Sequence, residues 1–282
     1  EEAIHIAPAD PEPRLALASL EADAPGGADK AREIYRQAAA MAPSDPAPHF
    51  GLGLLESRGG NAAAAEEEYE MTLRIQPDYR RARYNLALLL LDRGAASEAA
   101  RHFETLLQQT PDAKATFGLG RARRAMNDLP GAESAYRQAL KQDPSYGAAW
   151  INLSLLLEDL KRPAEALEAS GRAITTSPDS EKAWFLRGRL LAGAGRKEEA
   201  LAAFLQTARL KPGDTRAIFR AAILQADLRR DEEAIKLYRE LLAVDPRNAV
   251  AGFNLGLALH RVGRDTEARG AYEESLRADP EA

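Results

Sequence analysis

The amino-acid sequence predicts an all-α solenoid in which antiparallel helix hairpins stack in a row. Three sets of residues, each with eight members, recur together at a spacing of 33 or 34 residues. One set is proline: Pro43, Pro77, Pro111, Pro144, Pro178, Pro212, Pro246 and Pro280. A second is alanine: Ala31, Ala65, Ala99, Ala132, Ala166, Ala200, Ala234 and Ala268. The third is small: Ser19, Gly53, Ala87, Gly120, Ser154, Gly188, Ala222 and Gly256. Three registers that stay in phase over eight units indicate an internal repeat, and such a period is typical of a solenoid.

Each repeat is predicted to contain two helices. Helix A has apolar or small residues at positions 4, 7, 8 and 11 of the repeat, which is a helical period. A short turn, often with glycine, leads to helix B, which has alanine at position 20 and usually an aromatic residue at position 24. Proline at position 32 ends helix B, because proline cannot donate the next backbone hydrogen bond. The small residues at positions 8 and 20 predict that the two helices cross closely, since larger side chains would overpack the crossing.

The repeat boundaries follow from this register. The eight predicted repeats are 12–45, 46–79, 80–112, 113–146, 147–180, 181–214, 215–248 and 249–282. Residues 1–11 are predicted to be the tail of a truncated preceding repeat or a linker, because Ala3 to Pro8 resemble the end of a helix B. No polar capping helix follows the eighth repeat, so we expect the natural protein to continue at one or both ends.

The pattern resembles the tetratricopeptide repeat family. The family consensus combines an aromatic residue, Leu-Gly, Tyr, Ala, Phe, Ala and Pro at a period of 34 residues. Residues 148–180 and 250–282 match it closely, and the resemblance covers residues 12–282. It implies a right-handed superhelix whose concave groove, lined by a second face of helix A, holds the ligand. Three departures predict weaker packing between the fifth and seventh repeats: Ser170 replaces the aromatic residue at position 24, and Arg187 and Ala221 replace leucine at position 7.

The composition disfavours several functional classes. The formal net charge of −5 predicts that the chain as a whole repels nucleic acid. No apolar run reaches the roughly 18–20 residues that a membrane-spanning helix needs. Cysteine is absent, which excludes disulfides, thiolate zinc sites and cysteine nucleophiles. A chain without cysteine is compatible with both a reducing and an oxidising compartment. The localisation therefore stays open between the cytoplasm and the periplasm. The abundance of Ala and Arg resembles the proteins of high-GC bacteria.

The motifs of common enzymes are missing from the sequence. His5, His49, His102 and His260 lie far apart and have no second ligand at metal spacing. Gly51-Leu-Gly53 and Gly118-Leu-Gly120 lack the strand and third glycine of a dinucleotide loop. Acidic pairs recur at the start of helix B, where they favour the positive end of the helix dipole. We therefore expect a protein that is not an enzyme and that uses no metal or other cofactor.

A second face of helix A, at positions 2, 5, 9 and 12 with 6 and 13 on its flank, carries unexpected apolar residues. Position 5 reads Ala16, Phe50, Tyr84, Phe117, Ile151, Phe185, Phe219 and Phe253. One interpretation is that these rings pack between adjacent A helices. The other is that they form a partly exposed stripe that binds a peptide, and the two are compatible because one ring can do both. Asn85, Asn152 and Asn254 at position 6 could bond a peptide backbone, since an amide both donates and accepts.

The same face is charged unevenly. In repeats four to seven it carries seven cations, Lys114, Arg121, Arg124, Lys182, Arg189, Arg216 and Arg220, against three acids, Glu158, Asp159 and Asp227. Seven minus three leaves four excess positive charges, whereas Asp23, Arg58, Arg81 and Asp92 balance in the first three repeats. These charges have two interpretations. They form a basic groove that binds a ligand, or they are solvated and bind none.

The leading functional prediction is a scaffold or adaptor that binds a protein or peptide in the groove. The expected ligand is an acidic segment or a C-terminal carboxylate, without nucleic acid or membrane insertion. The candidate ligand-binding residues are Lys114, Phe117, Arg121, Asn152, Lys182, Phe185, Arg189, Arg216, Phe219 and Arg220. Two alternatives stay open. One is the recognition arm of a multidomain enzyme, such as a transferase, whose catalytic domain is outside this chain. The other is a self-associating or periplasmic spacer in secretion or export.

Overall fold

The computed structural model describes residues 11–279, which form sixteen α-helices and no strand. The helices are α1 (Glu12–Asp23), α2 (Ala28–Met41), α3 (Ala47–Arg58), α4 (Ala62–Ile75), α5 (Arg80–Asp92), α6 (Ala96–Gln109), α7 (Ala113–Ala125), α8 (Leu129–Gln142), α9 (Gly147–Asp159), α10 (Pro163–Thr176), α11 (Glu181–Gly193), α12 (Lys197–Leu210), α13 (Thr215–Asp227), α14 (Asp231–Val244), α15 (Ala249–Arg261) and α16 (Asp265–Ala278). The predicted tail at residues 1–11 lies, except for its last residue, outside the described residues.

The chain divides into two compact units, residues 1–142 and residues 143–282. Unit 1 contains α1 to α8, and unit 2 contains α9 to α16. Within each unit, every helix packs against the next helix in sequence, and some odd-numbered helices also touch each other. Each unit is therefore a stack of four helix hairpins, and the predicted all-α solenoid is confirmed. In residues 11–279, no helix combines the length and the hydropathy needed to cross a membrane.

The odd-numbered helices are the predicted A helices, and several begin at a side-chain cap. Asp112, Ser180, Asp214 and Asn248 precede α7, α11, α13 and α15, and each accepts a hydrogen bond from a backbone N–H in the first turn of its helix. A cap of this kind satisfies one of the first N–H groups, which have no partner inside the helix. The proline that ends helix B and the residue that caps the following helix A are therefore close neighbours in sequence.

The turn between helix A and helix B has a left-handed residue in every described hairpin. This residue is position 15 of the repeat, and it has a positive φ in Gly26, Gly60, Gly94, Asn127, Lys161, Gly195, Arg229 and Gly263. Five of the eight are glycine, which adopts this conformation without the penalty that Cβ imposes on other residues. The same turn therefore forms in all eight hairpins, although its glycine is missing from three of them.

The aromatic ring at position 24 explains why position 8 is small. A Cβ atom built on Gly53 would lie 2.5 Å from the Tyr69 ring, and one built on Gly120 would lie 2.6 Å from the Tyr136 ring. Both distances are shorter than any real Cβ contact, so the ring of helix B lies directly on the backbone of helix A. Both tyrosine rings are buried, and this contact forms the centre of the hairpin core.

Candidate functional site

The apolar stripe at position 5 belongs largely to the core of its own repeat. Each described ring at this position packs on the ring at position 24, with centroids 5.4 to 6.3 Å apart. Phe117 is buried, whereas Phe185 and Phe219 are half-buried. Tilted and edge-on ring pairs at these distances stabilise beyond the area that they bury. The first interpretation of the stripe, packing, therefore accounts for most of its surface.

Unit 1 contains a groove of about 450 Å³ across the exposed side of α3, α5 and α7. Its apolar wall includes Leu54 from α3 and Tyr84 from α5. Asn85 and Lys114 also line it, followed by the other lining residues Arg80, Arg81, Leu106, Asp112 and Ala115. The groove thus includes positions 2, 5, 6 and 9 of the A helices, with further residues from the start of α5 and α7 and from α6.

The groove has an excess of positive charge. Three cations and one carboxylate line it, Arg80, Arg81 and Lys114 against Asp112, which leaves two excess positive charges. Arg80 donates to the Leu106 carbonyl at 3.0 Å, and the Arg81 guanidinium lies 4.7 Å from the centroid of the Phe50 ring. Lys114 is exposed, and within residues 11–279 neither Lys114 nor Arg81 has an acidic partner. Both cations can therefore interact with a ligand carboxylate without first breaking an ion pair.

Asp112 and Tyr84 complete the polar lining of the groove. The Asp112 carboxylate accepts a hydrogen bond from the Ala115 amide at 2.8 Å, so it is engaged as a helix cap. Burial raises the pKa of Tyr84 above its ordinary value, and the nearby Asp112 carboxylate adds to this shift. The Tyr84 hydroxyl therefore stays protonated at neutral pH and can donate a hydrogen bond.

Asn85 faces the groove but also serves the core. Burial raises the pKa of Tyr69, while hydrogen bonds from Asn85 and Ser57 oppose that shift. Asn85 therefore lies near Tyr69, the ring at position 24 of the preceding repeat. Asn152, the corresponding residue of unit 2, donates to the Ala148 carbonyl of its own helix at 2.9 Å. The asparagine row thus has a structural explanation at Asn85, and Asn152 is engaged locally.

The predicted cations of unit 2 divide into paired and unpaired residues. Arg189 forms an ion pair with Glu158, and Arg216 pairs with Asp214 at 2.9 Å. These contacts hold the pKa of Asp214 below its ordinary value, because Arg216 donates to the carboxylate and the Ala217 amide adds a second bond. Lys182 and Arg220 are exposed, and the described part of the chain offers them no ion pair.

The aromatic and cationic candidates of unit 2 meet at one point. The Arg216 guanidinium lies 5.2 Å from the centroid of the Phe185 ring, which is within the range of a cation–π contact. This arrangement repeats that of Arg81 over Phe50 in unit 1. In both cases position 2 of one repeat covers the ring at position 5 of the preceding repeat. Arg216 therefore covers part of the aromatic stripe that the sequence predicts to bind a peptide.

The remaining candidates in unit 1 lie on α7 beside the groove. Arg121 forms a long ion pair of 3.4 Å with Asp92, and Phe117 is buried against Tyr136. Neither Arg121 nor Phe117 is among the residues that line the groove, whereas Lys114 is. Of the three candidate ligand-binding residues in unit 1, Lys114, Phe117 and Arg121, Lys114 is therefore the one that lines this groove.

Sequence reasoning placed Arg81, Tyr84 and Leu54 on the groove face of helix A but did not choose them as ligand-binding residues. It counted the first three repeats as electrically balanced, but the structure pairs Asp23 with Arg58 and Asp92 with Arg121. Arg81 is left without an acid. The signal that could have found it is pairing across repeats, because an acid at position 12 or 13 bonds a cation in the following repeat. Charges summed over blocks of repeats hide such pairs.

The described histidines do not converge on a site. His49 Nδ1 lies 2.7 Å from Glu68, and His260 Nδ1 lies 2.7 Å from Asp265. Burial and the nearby Arg83 lower the pKa of His102. In residues 11–279, no group of three or more His, Asp or Glu side chains is placed to hold a metal ion.

Comparisons with known proteins give the same architecture. The C-terminal part of a TPR repeat-containing protein from Cytophaga hutchinsonii is similar at a TM-score of 0.67 and 16% identity, covering 83% of this chain and 96% of that one. A crystal structure of MamA is similar at a TM-score of 0.55 and 21% identity, covering 60% of this chain and 92% of that one. A thermophilic TPR protein of Thermus thermophilus is similar at 0.52 and 23% identity, covering 64% and 100%. No curated protein matches the sequence.

A family model connects the sequence to this architecture. The model described as "Tetratricopeptide repeat" matches residues 15–80, 58–114, 117–181, 171–215 and 219–282. Together these matches cover most of the chain and overlap all eight of the hairpins described above. The chain belongs to the tetratricopeptide repeat family.

Proposed function

We propose that this chain is a protein-interaction module, not an enzyme, and that the groove of unit 1 binds an extended acidic segment of a partner. One observation carries the proposal. Arg81 and Lys114 stand in a concave site of about 450 Å³ without acidic partners in the described chain, beside the apolar wall of Leu54 and Tyr84. A peptide with a carboxylate next to an apolar side chain complements both features.

The chemistry of recognition follows from the donors present. Lysine supplies up to three donors and a compact charge, whereas arginine can give a carboxylate two parallel hydrogen bonds. The Tyr84 hydroxyl adds a neutral donor. Either an Asp or Glu side chain or the free C-terminus of a partner offers the required carboxylate, and the groove chemistry is the same for both.

The A-helix face of unit 2 carries the same proposal in weaker form. Lys182 and Arg220 are exposed on the helices that carry Phe185 and Phe219. The charged group of each is available to bind a carboxylate. Arg189 and Arg216 already neutralise Glu158 and Asp214, so a ligand must compete with those acids. We therefore expect Lys182 and Arg220 to contribute more to partner binding than Arg189 and Arg216.

A peptide selection tests the groove of unit 1. A display library of random ten-residue peptides is selected against the chain at low salt, and we expect the enriched peptides to combine Asp or Glu with an apolar residue. The dissociation constant of one enriched peptide is then measured with the Lys114→Glu and Arg81→Glu variants. An exposed ion pair contributes up to about 1 kcal/mol, so each variant should weaken binding by about 5-fold. The loss should shrink at high salt, because salt screens exposed charges.

Arg101→Glu is the matched control, because Arg101 is exposed on α6 and lies outside the groove. It removes the same charge and should leave the affinity unchanged. Equal loss in all three variants would show that only net charge matters, and no loss at Lys114 or Arg81 would reject the groove. Amidation of the peptide C-terminus decides the source of the carboxylate, since it abolishes binding only if the terminus is recognised.

A further inference from the structure

Unit 2 contains a cavity of about 90 Å³ that is separate from the groove of unit 1. Leu242 of α14, Gly252 of α15, and Ala271 and Ser275 of α16 line it, together with Pro246 from the segment that joins α14 to α15. Gly252 is position 4 of the last repeat. We call this space the Gly252 cavity, and the residues at position 4 of other repeats show what it fits.

In two other repeats of unit 2, position 4 is a tryptophan whose indole N–H is bonded. Trp150 of α9 donates through Nε1 to the Pro144 carbonyl at 2.9 Å, and Trp184 of α11 donates in the same way to the Pro178 carbonyl at 2.7 Å. Each acceptor is the proline that lies six residues earlier, after helix B of the preceding repeat. Both indole side chains are half-buried. Repeats five and six therefore share one indole site, which ends at a proline carbonyl.

The last repeat has the surroundings of this site without the ring. The residue at position 23 of helix B is alanine in all three repeats: Ala169, Ala203 and Ala271. Trp184 packs against the core cluster that contains the second of these alanines. Repeat seven differs, because it has the smaller Ile218 at position 4 and the larger Leu237 at position 23. The small residue at position 23 thus accompanies the indole in repeats five and six, whereas in the last repeat it borders a cavity.

The acceptor of the indole hydrogen bond is also present in the last repeat. Pro246 lies six residues before Gly252, lines the cavity and is exposed. Within residues 11–279, its carbonyl accepts no hydrogen bond. The neutral polar side chains of the lining are engaged, because the Ser275 hydroxyl donates to a carbonyl of α15 at 2.7 Å and Asn248 caps the same helix. The cavity therefore offers a free backbone acceptor at the position that receives an indole N–H in repeats five and six.

We propose that the Gly252 cavity binds the indole ring of a tryptophan side chain in a partner protein. The ring would enter beside Ala271, and its N–H would donate to the Pro246 carbonyl. Partial entry is sufficient, because the indoles of repeats five and six are themselves only half-buried. A phenylalanine ring would fill the same space but would leave the carbonyl without a donor. The inference does not depend on the proposed function, since none of the cavity residues belongs to the groove of unit 1.

A second copy of the chain does not supply this tryptophan. The chain has two tryptophans, Trp150 and Trp184, and each already donates its N–H inside unit 2. Free tryptophan also matches the cavity poorly. Among the described residues of the lining, Glu274 is the charged one, and it repels the carboxylate of a free amino acid. A tryptophan within a polypeptide carries no such charge, so the occupant that fits is a side chain of another protein.

An NMR titration of the isotope-labelled whole chain with N-acetyl-L-tryptophanamide tests the site. We expect saturable shifts of the Gly252 and Ser275 amide signals, with a dissociation constant in the millimolar range because one side chain makes few contacts. The analogue that is methylated at the indole nitrogen cannot donate to Pro246 and should bind about 5-fold more weakly. Free L-tryptophan should bind no more tightly than the amide. The absence of saturable shifts at these two residues, equal affinity of the methylated analogue, or tighter binding of free tryptophan would each overturn the proposal.

Variants of the chain locate the binding. Gly252→Trp supplies the indole of repeats five and six from within the chain, so it should abolish binding of N-acetyl-L-tryptophanamide and leave the midpoint of urea unfolding at least as high as in the wild type. A Cβ on Gly252 would lie 3.3 Å from the Ser275 side chain, a contact that a small shift relieves. Ala271→Leu introduces the position-23 residue of repeat seven and should also abolish binding.

Gly193→Trp is the matched control. Gly193 is exposed on α11, a Cβ there would meet nothing within 4 Å, and the residue lies outside the cavity. It adds the same side chain and should leave the affinity unchanged. Retained binding in Gly252→Trp or Ala271→Leu would reject the site. A much lower unfolding midpoint in Gly252→Trp would show that the cavity does not accept an indole, and it would also overturn the proposal.

Discussion

Single residues determine how closely the helices of each hairpin approach. Gly120 in α7 lies against the Tyr136 ring of α8, and the ring is fully buried. Burial raises the pKa of Tyr136 to about 12, so the hydroxyl stays neutral in this core. Because neither the ring nor the helix backbone can move away, this contact leaves no room for a methyl group.

Alanine at two glycine positions should therefore have opposite effects. Gly120→Ala should destabilise the chain by about 1–3 kcal/mol, the usual cost of overpacking. Gly270→Ala should stabilise it by about 0.5–1 kcal/mol, because Gly270 is inside α16, a Cβ there would meet nothing within 4 Å, and alanine favours helix. Urea unfolding measures both changes. Two shifts of the same sign would contradict the assigned packing.

Ser170 and Arg187 show why part of the packing could not be predicted from the sequence. Each looked like a weakening departure when taken alone. In the structure Arg187 reaches the Leu167 carbonyl at 3.1 Å and the Ser170 hydroxyl at 3.3 Å, so the long side chain approaches the position where other repeats have a ring. The two departures are coupled across neighbouring repeats. A repeat-by-repeat comparison with a consensus does not detect such coupling.

The candidate site could be predicted only in part, for a similar reason. Periodicity placed Lys114, Lys182 and Arg220 on the exposed face of helix A, where the structure has them. It did not distinguish Arg189 and Arg216, which pair with Glu158 and Asp214, from cations that remain available. Ion pairing depends on side-chain reach between repeats, which sequence spacing does not specify. The helices themselves were predictable, because each is specified by a local apolar period and a local stop signal.

At the scale of the helix hairpin, the turn is more uniform than its sequence. Arg229 and Lys161 adopt φ values of 60° and 59°, the region that glycine adopts in five other repeats. For a residue with a side chain, this conformation costs roughly 1–2 kcal/mol. These two turns therefore retain strain that the sequence could remove.

Arg229→Gly should stabilise the chain by up to about 1 kcal/mol. Relief of the left-handed strain exceeds the extra entropy that glycine gives the unfolded chain, which costs about 0.5–1 kcal/mol. The midpoint of urea unfolding measures the change, and Arg229→Ala separates it from the loss of charge. Asn127→Gly is the comparison, and it should change little because asparagine tolerates this region. A lower midpoint for Arg229→Gly would contradict the strain.

At the scale of the whole molecule, ion pairs link neighbouring repeats inside each unit. In unit 1 Arg58 pairs with Asp23, and in unit 2 Arg264 pairs with Glu232. Exposed pairs of this kind contribute little individually. Glu56 is different, because its side chain is buried, and hydrogen bonds from Arg32 hold the pKa of its carboxyl below the ordinary value. Asn61 adds a further hydrogen bond to the same carboxylate at 2.7 Å.

The chain should accordingly lose stability in acid. A carboxylate with a lowered folded pKa contributes stability that is present above its unfolded pKa and is lost as the pH falls through the folded value. For Glu56 the loss begins below about pH 4.5, the ordinary value. In the wild type, the free energy of unfolding should fall as the pH is lowered from about 7 to about 3, a range that includes the ordinary carboxyl pKa. Glu56→Gln should flatten that dependence, whereas Glu240→Gln, at an exposed site on α14, should follow the wild type. Parallel curves for wild type and Glu56→Gln would refute the role of Glu56.

The contact between position 24 and position 6 of the next repeat also limits how such a chain can change length in evolution. Loss of residues 46–79 would bring Asn85 to Tyr35, and loss of residues 80–112 would bring Gly118 to Tyr69. Both new neighbours match pairings that already exist, Tyr69 with Asn85 and Tyr35 with Gly51. A duplication that placed asparagine against Phe103 would bury an amide without an acceptor, which costs about 1–3 kcal/mol. Gene rearrangements that keep the hairpins whole are therefore not equivalent, and selection would retain those whose new neighbours fit.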